Sequence, residues 1–319
     1  MQRRWLKIRK ALLRIILPAV RALPPRTASR FVAGIGHAEY TMGRTLRLRF
    51  DRAVRRGADH FNLRWDVPHI GRELAGNQIR WRTRDQLLDG LADEDVAGLF
   101  EVEGLENLIA AKDQGKGVIL LGNHFGAHLM PAHWLVREGY ALRLLMERPN
   151  HVSRYLKRQF ETEGPLGQKR LFISRKATAT EAAGLILRAG RVLKAGMIML
   201  IAGDVRWVGA NTQEATFLGR SYQFSATWAT LAAMTGAPVV PVFCRMSRDG
   251  TNRLEFLPSF HVPSAAVRNG QLGSYVQSSI SQIEERVKQS PENSNEYFFW
   301  DDPDDAEVVA VRFHKGASS

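Results

Sequence analysis

Residues 117–128 have the sequence GVILLGNHFGAH, in which a short apolar run stops at a histidine and small residues follow. The run has the length of a buried strand. In open α/β sheets, ligands and catalytic groups collect at the carboxyl ends of the strands. We therefore expect His124 at the rim of a sheet, where an imidazole with an unperturbed pKa of about 6.5 can act as a general base. The alternative is that His124 only caps a helix or completes a hydrogen bond.

After residue 100 the chain alternates between strand and helix signals. Strand candidates lie at 117–122, 141–147, 170–174, 197–203 and 238–244, with a possible strand at 252–257. Helical stretches lie at 127–138, 151–162, 178–194, 224–235 and 272–289. This alternation predicts an α/β fold with a mostly parallel central sheet covered by helices.

The chain has 319 residues, of which 45% are hydrophobic, so it is long enough for one large α/β domain or two small ones. Residues 1–100 are predicted to be helical because their apolar positions recur at helical spacing. Residues 101–300 form the predicted α/β core. Residues 301–319 begin with several aspartates and are predicted to be an acidic, flexible tail.

The N-terminus carries an unusual share of the formal net charge of +13. No Asp or Glu occurs before Glu39, and the same stretch contains Arg3, Arg4, Lys7, Arg9, Lys10, Arg14, Arg21, Arg26 and Arg30. Aliphatic side chains and Trp5 lie between them, in a run too short to span a bilayer. Such a segment is typical of helices that lie in an anionic membrane interface. The alternative is a core helix with solvated arginines, and no motif favours a nucleic-acid partner.

Carboxylates end two further predicted strands. Asp204 directly follows the apolar run 197–203, and Glu147 and Arg148 end the strand at 141–147. Parallel strands would place Asp204 or Glu147 beside His124, where a carboxylate can fix the imidazole tautomer. Arg148 could hold a phosphate or a developing oxyanion. Ordinary capping or surface pairing is the alternative for both carboxylates.

Other chemistries have weaker support. His124, His128 and His133 could suggest a metal, but the glutamate of the H-E-x-x-H pattern is absent. A serine hydrolase is disfavoured because no G-x-S-x-G elbow occurs. The single cysteine, Cys244, lies in an apolar strand, where a thiol is usually inert. One cysteine also excludes an internal disulfide and fits a reducing compartment such as the cytoplasm.

Four blocks, in order, resemble one family. They are residues 117–126; Glu147-Arg148-Pro149-Asn150; Gly203-Asp204 with Thr216-Phe217-Leu218-Gly219; and Ala226-Thr227-Trp228-Ala229 followed by residues 235–243. Together they are similar to the lauroyl/myristoyl acyltransferases of lipid A biosynthesis, within the lysophospholipid acyltransferase superfamily. The resemblance covers roughly residues 100–300 and implies association with the cytoplasmic face of a bacterial inner membrane.

The resemblance implies an O-acyltransferase that moves a fatty acyl group from acyl carrier protein or coenzyme A to a hydroxyl of a lipid A precursor or another glycolipid or lysolipid. Both thioesters are substrates, and no cofactor or metal is expected. Transfer would be direct, with His124 as general base. The expected site comprises His124, Asp204 and Glu147 as catalytic residues, with Asn123, Gly126, Arg148 and Arg206 binding the substrate or the oxyanion.

One position departs from the family pattern. The family motif has an acidic residue five positions after the histidine, where this chain has Leu129. Leucine cannot polarise an imidazole. Either Asp204 or Glu147 does so instead, or the chain is an inactive homologue that binds lipid or acyl carrier protein.

Overall fold

The computed structural model describes residues 16, 18–88, 91–147, 166, 169–174, 178–207, 211–295 and 297–300. Three predicted features lie outside the described residues: the start of the membrane-docking helix at 1–15, the helical stretch 151–162 and the tail 301–319.

A seven-stranded sheet forms the centre of the molecule, in the order β1-β9-β8-β2-β5-β3-β4. Its strands are β1 (Phe100–Glu103), β2 (Val118–Gly122), β3 (Leu142–Glu147), β4 (Arg170–Ile173), β5 (Ile198–Ala202), β8 (Val239–Met246) and β9 (Asn252–Phe256). All neighbouring pairs are parallel except β8 with β9, which are antiparallel. The prediction of a mostly parallel sheet is confirmed, and β2 is its middle strand.

Helices cover both faces of this sheet. They are α1 (Pro25–Met42), α2 (Arg44–Phe61), α3 (Val67–Leu88), α4 (Asp93–Ala97), α5 (Leu105–Lys112), α6 (Met130–Arg137), α7 (Ala179–Lys194), α8 (Thr227–Thr235), α9 (Ala265–Arg268) and α10 (Leu272–Gln289). Two short 3₁₀ helices, η1 (Pro291–Asn293) and η2 (Tyr297–Phe299), follow α10.

The side chains of β2 show why its sequence is continuously apolar. Ile119 and Leu121 enter one core cluster, whereas Val118 and Leu120 enter the other. Because successive side chains of a strand point to opposite faces, a strand buried on both sides carries no polar position. Helices α7, α8 and α10 contribute to the first cluster, and α5 and α6 to the second.

Three of the described strands, β1 and a hairpin pair, were not predicted from the sequence. Alternate residues of β1 are exposed at the sheet edge. The predicted helix at 224–235 begins only at Thr227, because a hairpin of β6 (Thr212–Phe217) and β7 (Arg220–Ser225) precedes it. Leu218 and Gly219 form the two-residue turn with φ of 49° and 73°, the backbone that such hairpins favour.

The helices before the sheet contribute to the same core cluster as its strands. Phe50 of α2 meets Phe299 of η2 edge to face, with ring centroids 5.0 Å apart. Helices α1 and α3 approach so closely that a Cβ atom at Gly36 would lie 2.2 Å from the carbonyl oxygen of Ala75. Among the described residues, no helix combines the length and the apolarity that crossing a bilayer requires.

Candidate active site

Sheet register brings His124 and Asp204 together. Gly122 at the end of β2 is paired with Ala202 at the end of the neighbouring strand β5. Two residues further along each strand, the chain delivers His124 and Asp204 to the same edge. Nδ1 of His124 lies 2.9 Å from Oδ1 of Asp204, and the backbone N–H of His124 donates to Oδ2 at 2.8 Å. The expected contact between these two residues is therefore present.

Asp204 is almost fully buried, with 1% of its surface exposed. Burial alone would raise the pKa of its carboxyl group, but the neighbouring imidazole and the hydrogen bonds from His124 and Tyr297 hold that pKa below its usual value. The Tyr297 hydroxyl donates to Oδ2 at 2.7 Å. The carboxylate thus stays ionised and fixed beneath the imidazole, which remains partly exposed.

Tyr297 was not anticipated from the sequence. It lies 93 positions after Asp204, in η2, and is itself buried. The one signal available was the aromatic run from Tyr297 to Trp300, which marks a segment that packs against the core.

The backbone after His124 is held by internal hydrogen bonds. The N–H of Phe125 donates to Oδ1 of Asn123 at 3.1 Å, that of Gly126 to the carbonyl of Asn293 at 2.8 Å, and that of Ala127 to the carbonyl of Cys244 at 2.8 Å. Because the N–H of Gly126 already has a partner, the predicted oxyanion contact would need another N–H group near Gly126.

Gly126 has a different role. Its φ is 60°, and a Cβ atom there would lie 2.1 Å from the carbonyl oxygen of Cys244. Only glycine allows the loop to turn this close to β8. Because the chain turns here, α6 begins at Met130 and not at 127 as predicted.

The buried side chain of Asn123 stabilises the loop that follows β2. It donates to the carbonyl of Val242 at 3.0 Å and accepts from Phe125. Its contact with substrate stays a prediction, because the amide nitrogen ties the loop to β8 and the amide oxygen holds the backbone of Phe125.

Glu147 ends β3, and β5 lies between β3 and β2. Its backbone is therefore two strand spacings, or about 10 Å, from that of β2. Asp204 makes the contact with Nδ1 of His124 for which Glu147 was the alternative candidate. Arg148 lies outside the described residues. The guanidinium of Arg206 stacks over Trp300, 4.5 Å from the ring centroid, so the proposed substrate contact stays a prediction.

A second group of polar side chains borders His124. The ring of His128 lies 4.8 Å from that of His124, measured between centroids. Nδ1 of His128 accepts a hydrogen bond from Nε1 of Trp81 at 2.9 Å. Nε2 of the buried His133 lies 3.0 Å from Asp85. Sequence reasoning treated His128 and His133 only as possible metal ligands and missed their partners on α3.

The structure also bears on metal binding and on Cys244 as a nucleophile. The described residues include no cluster of three or more His, Cys, Asp or Glu side chains placed to hold a metal ion. Cys244 is buried in β8, and burial raises the pKa of its thiol far above the usual range. A protonated, buried thiol is a poor nucleophile.

The arrangement suits proton abstraction by His124. A carboxylate on Nδ1 leaves Nε2 as the basic nitrogen and stabilises the imidazolium that forms when a proton is taken up. A comparison with known families gives a separate finding. Residues 85–300 match the model of the bacterial lipid A biosynthesis acyltransferases, and the chain belongs to that family. It is therefore an enzyme of the acyltransferase type. No curated protein matches the chain significantly.

Proposed function

We propose that the protein is a membrane-associated O-acyltransferase in which His124, oriented by Asp204, is the general base. The donor is an acyl thioester of acyl carrier protein or coenzyme A, and the acceptor is a hydroxyl of a lipid A precursor or a related glycolipid. His124 takes the acceptor proton as the oxygen attacks the thioester carbon. The thiolate leaves with that proton, so the acyl group passes directly to the acceptor.

The observation that carries this proposal is the 2.9 Å contact between Nδ1 of His124 and buried Asp204. It addresses the alternative of an inactive homologue, which rests on Leu129. Leu129 is buried in an apolar cluster beside α6. The carboxylate that the family motif takes from this position comes here from the end of β5, so its absence at residue 129 does not leave the imidazole unsupported.

Charge supports the choice of donors. The chain has a formal net charge of +13. Acyl carrier protein is acidic and coenzyme A is phosphorylated, so a basic surface attracts both. Geometry does not separate the two donors, and a comparison of both thioesters in the same assay does.

The described N-terminal helices support docking on an anionic membrane at the cytoplasmic face of the bacterial inner membrane. Phe31, Met42 and Leu48 are large apolar side chains that are 48%, 78% and 52% exposed. Arginines are exposed on the same helix as Leu48, among them Arg47 and Arg52. Exposed apolar side chains among arginines suit an interface with anionic headgroups.

Substitution of His124 tests the proposed base. We expect His124→Ala to lower the rate of thiol release and of lipid acylation by about 10²–10⁴-fold, as loss of a general base does. His261→Ala is the matched control, because His261 is an exposed histidine. Lipid mass spectrometry with acyl carrier protein and coenzyme A thioesters gives donor and acceptor together. A wild-type chain that turns over neither thioester would favour the inactive binding protein.

The direct route has its own test. Intact-protein mass spectrometry during turnover should show only the unmodified chain. An acyl adduct that forms and decays at the rate of turnover would contradict direct transfer.

A further inference from the structure

The carbonyl oxygen of the thioester needs a hydrogen-bond donor as it gains negative charge. The backbone after His124 does not supply one from residues 124–127. The N–H of His124 donates to Asp204 and that of Phe125 to Asn123, whereas those of Gly126 and Ala127 donate to the carbonyls of Asn293 and Cys244. Among the described residues, the side chains next to His124 are therefore the next place to look for a donor.

His128 has the required hydrogen. The indole N–H of Trp81 can only donate, so Nδ1 of His128 must accept at 2.9 Å and carries no proton. The proton of the neutral ring therefore lies on Nε2. While the bond to Trp81 stands, the ring can be neither the other tautomer nor the imidazolium. Nε2 has no hydrogen-bond partner among the described residues.

Position and environment agree with this assignment. The His128 ring lies 4.8 Å from the His124 ring between centroids, and part of His128 remains exposed. Burial lowers the pKa of His128 well below its ordinary value, and the neighbouring His124 lowers it further. A neutral donor next to the base is an advantage, because a second cation there would oppose formation of the imidazolium on His124.

We propose that His128 is an electrophilic catalytic residue whose Nε2–H binds the thioester carbonyl oxygen, and that Trp81 is the positioning residue that fixes its tautomer. This inference rests on the proposed acyl transfer. As the acceptor oxygen bonds to the carbonyl carbon, its proton passes to Nε2 of His124. The C=O π electrons move onto oxygen, which accepts the hydrogen bond from His128 without taking its proton. The C–S bond then breaks, the carbonyl re-forms, and the thiolate takes the proton from His124.

Kinetics of three variants of the full chain test the proposal, with a saturated long-chain acyl-CoA as donor. His128→Phe keeps a ring but removes the donor, and should lower kcat by about 10²–10³-fold with little change in KM. His128→Gln places an amide N–H near Nε2 and should recover part of that loss. Trp81→Phe removes the indole donor and keeps an aromatic ring, so its activity should decline on acidification at a higher pH than that of the wild type. Thermal unfolding of each variant separates these effects from misfolding.

The outcomes distinguish this proposal from the proposed function. Suppose that the wild type is active, that His124→Ala abolishes turnover and that His128→Phe retains it. That result would overturn the role of His128 alone. The role of His128 would also be overturned if Arg148→Gln showed the predicted loss of kcat and His128→Phe did not. Absence of turnover in the wild type with both the acyl-CoA and the acyl carrier protein thioester would overturn both.

The tautomer of His128 can also be measured without turnover. In ¹⁵N NMR spectra of the wild type, His128, assigned by comparison with His128→Gln, should show a protonated Nε2 from about pH 5 to 8. A proton on Nδ1, or titration near pH 6.5, would contradict the proposal.

Discussion

At the scale of single residues, the proposed mechanism depends on how the Asp204 carboxylate is held. It is buried at the end of β5 and accepts hydrogen bonds from the backbone of His124 and from the hydroxyl of Tyr297, in addition to its contact with Nδ1. A buried carboxylate with several donors stays ionised and keeps one orientation. The imidazole therefore meets a fixed charge at Nδ1, and in the proposed mechanism its Nε2 is the base.

Replacement of Asp204 by asparagine should reduce kcat much more than it changes KM. The side chain keeps its size but loses its charge, so it no longer stabilises the imidazolium; we expect a fall of about 10²–10⁴-fold. Steady-state kinetics measures the split between the two constants. Asp59→Asn, at an exposed position of α2, is the control. A variant with the wild-type kcat would transfer the orienting role to another residue, and Glu147→Gln would then be examined.

Restoring the acidic residue of the family motif should not improve the enzyme. Leu129 is 9% exposed and packs in an apolar cluster, so Leu129→Glu would bury a carboxylate. We expect a loss of at least ~2 kcal/mol in the free energy of unfolding. Chemical denaturation measures that loss, and Leu129→Met is the size-matched control. A gain in kcat for Leu129→Glu would show that Asp204 supports the native base only incompletely.

At the scale of elements, α3 packs two polar side chains against the segment that follows β2. Trp81 and Asp85 are four residues apart and therefore lie on one face of the helix. They meet His128 and His133 respectively. Burial lowers the pKa of both imidazoles, although Asp85 counteracts this effect at His133. The packing of α3 next to the active site thus favours the uncharged form of both histidines.

This packing predicts a loss of stability in mild acid. The unfolded chain binds a proton to each imidazole near its ordinary pKa of about 6.5, whereas the folded protein resists protonation. Acidification from pH 7 to pH 5 therefore favours unfolding and should lower Tm. The depressed pKa of Asp204 acts in a different window, since its stabilising effect is lost only below about pH 4. Calorimetry at several pH values measures the slope.

The matched variant for this effect is His128→Gln, which cannot titrate. Its Tm should fall less between pH 7 and pH 5 than that of the wild type. An identical fall in both proteins would mean that His128 is protonated as easily in the folded state as in the unfolded chain.

At the scale of the whole molecule, the active-site edge belongs to a basic protein whose N-terminal helices expose apolar side chains. Residues 1–24 are predicted to dock on an anionic membrane face without spanning it. Val20 packs with Ala28, Val32 and Ile79, so its removal would disturb the fold. A truncation that lacks residues 1–15 keeps this contact and removes six of the nine basic residues that precede Glu39.

We expect the truncated chain to bind anionic vesicles more weakly than the full chain, while acyl transfer to a detergent-solubilised acceptor persists. Higher ionic strength should weaken binding of the full chain, because part of the attraction is electrostatic. Co-sedimentation with anionic and neutral vesicles measures both effects. Equal binding of the two chains would place the docking surface elsewhere. Resistance of the full chain to high salt and to alkaline carbonate would indicate deeper insertion.

Several features were predictable because they depend on local patterns. The continuous apolarity of 117–122 and 197–203 identified two strands buried on both faces, and the end of each run identified His124 and Asp204. The amphipathic alternation in β6 and β7 was weaker and was missed, as was β1. These half-exposed strands depend on a neighbour that is distant in sequence, because β1 pairs with β9 and helix α10 packs on β6.

By itself, the sequence determined the class of fold, the family and the histidine at the rim of the sheet, because strand periodicity and the order of motifs are local properties of the chain. Only the tertiary structure decided which carboxylate serves that histidine. Strand order puts β5, and not β3, beside β2, so Asp204 takes the contact and Glu147 does not. The structure likewise brought Tyr297 to Asp204 and Trp81 to His128, and it committed the Gly126 amide to Asn293. These pairings join residues up to 167 positions apart, and no local pattern encodes them because each depends on how the layers of the molecule pack.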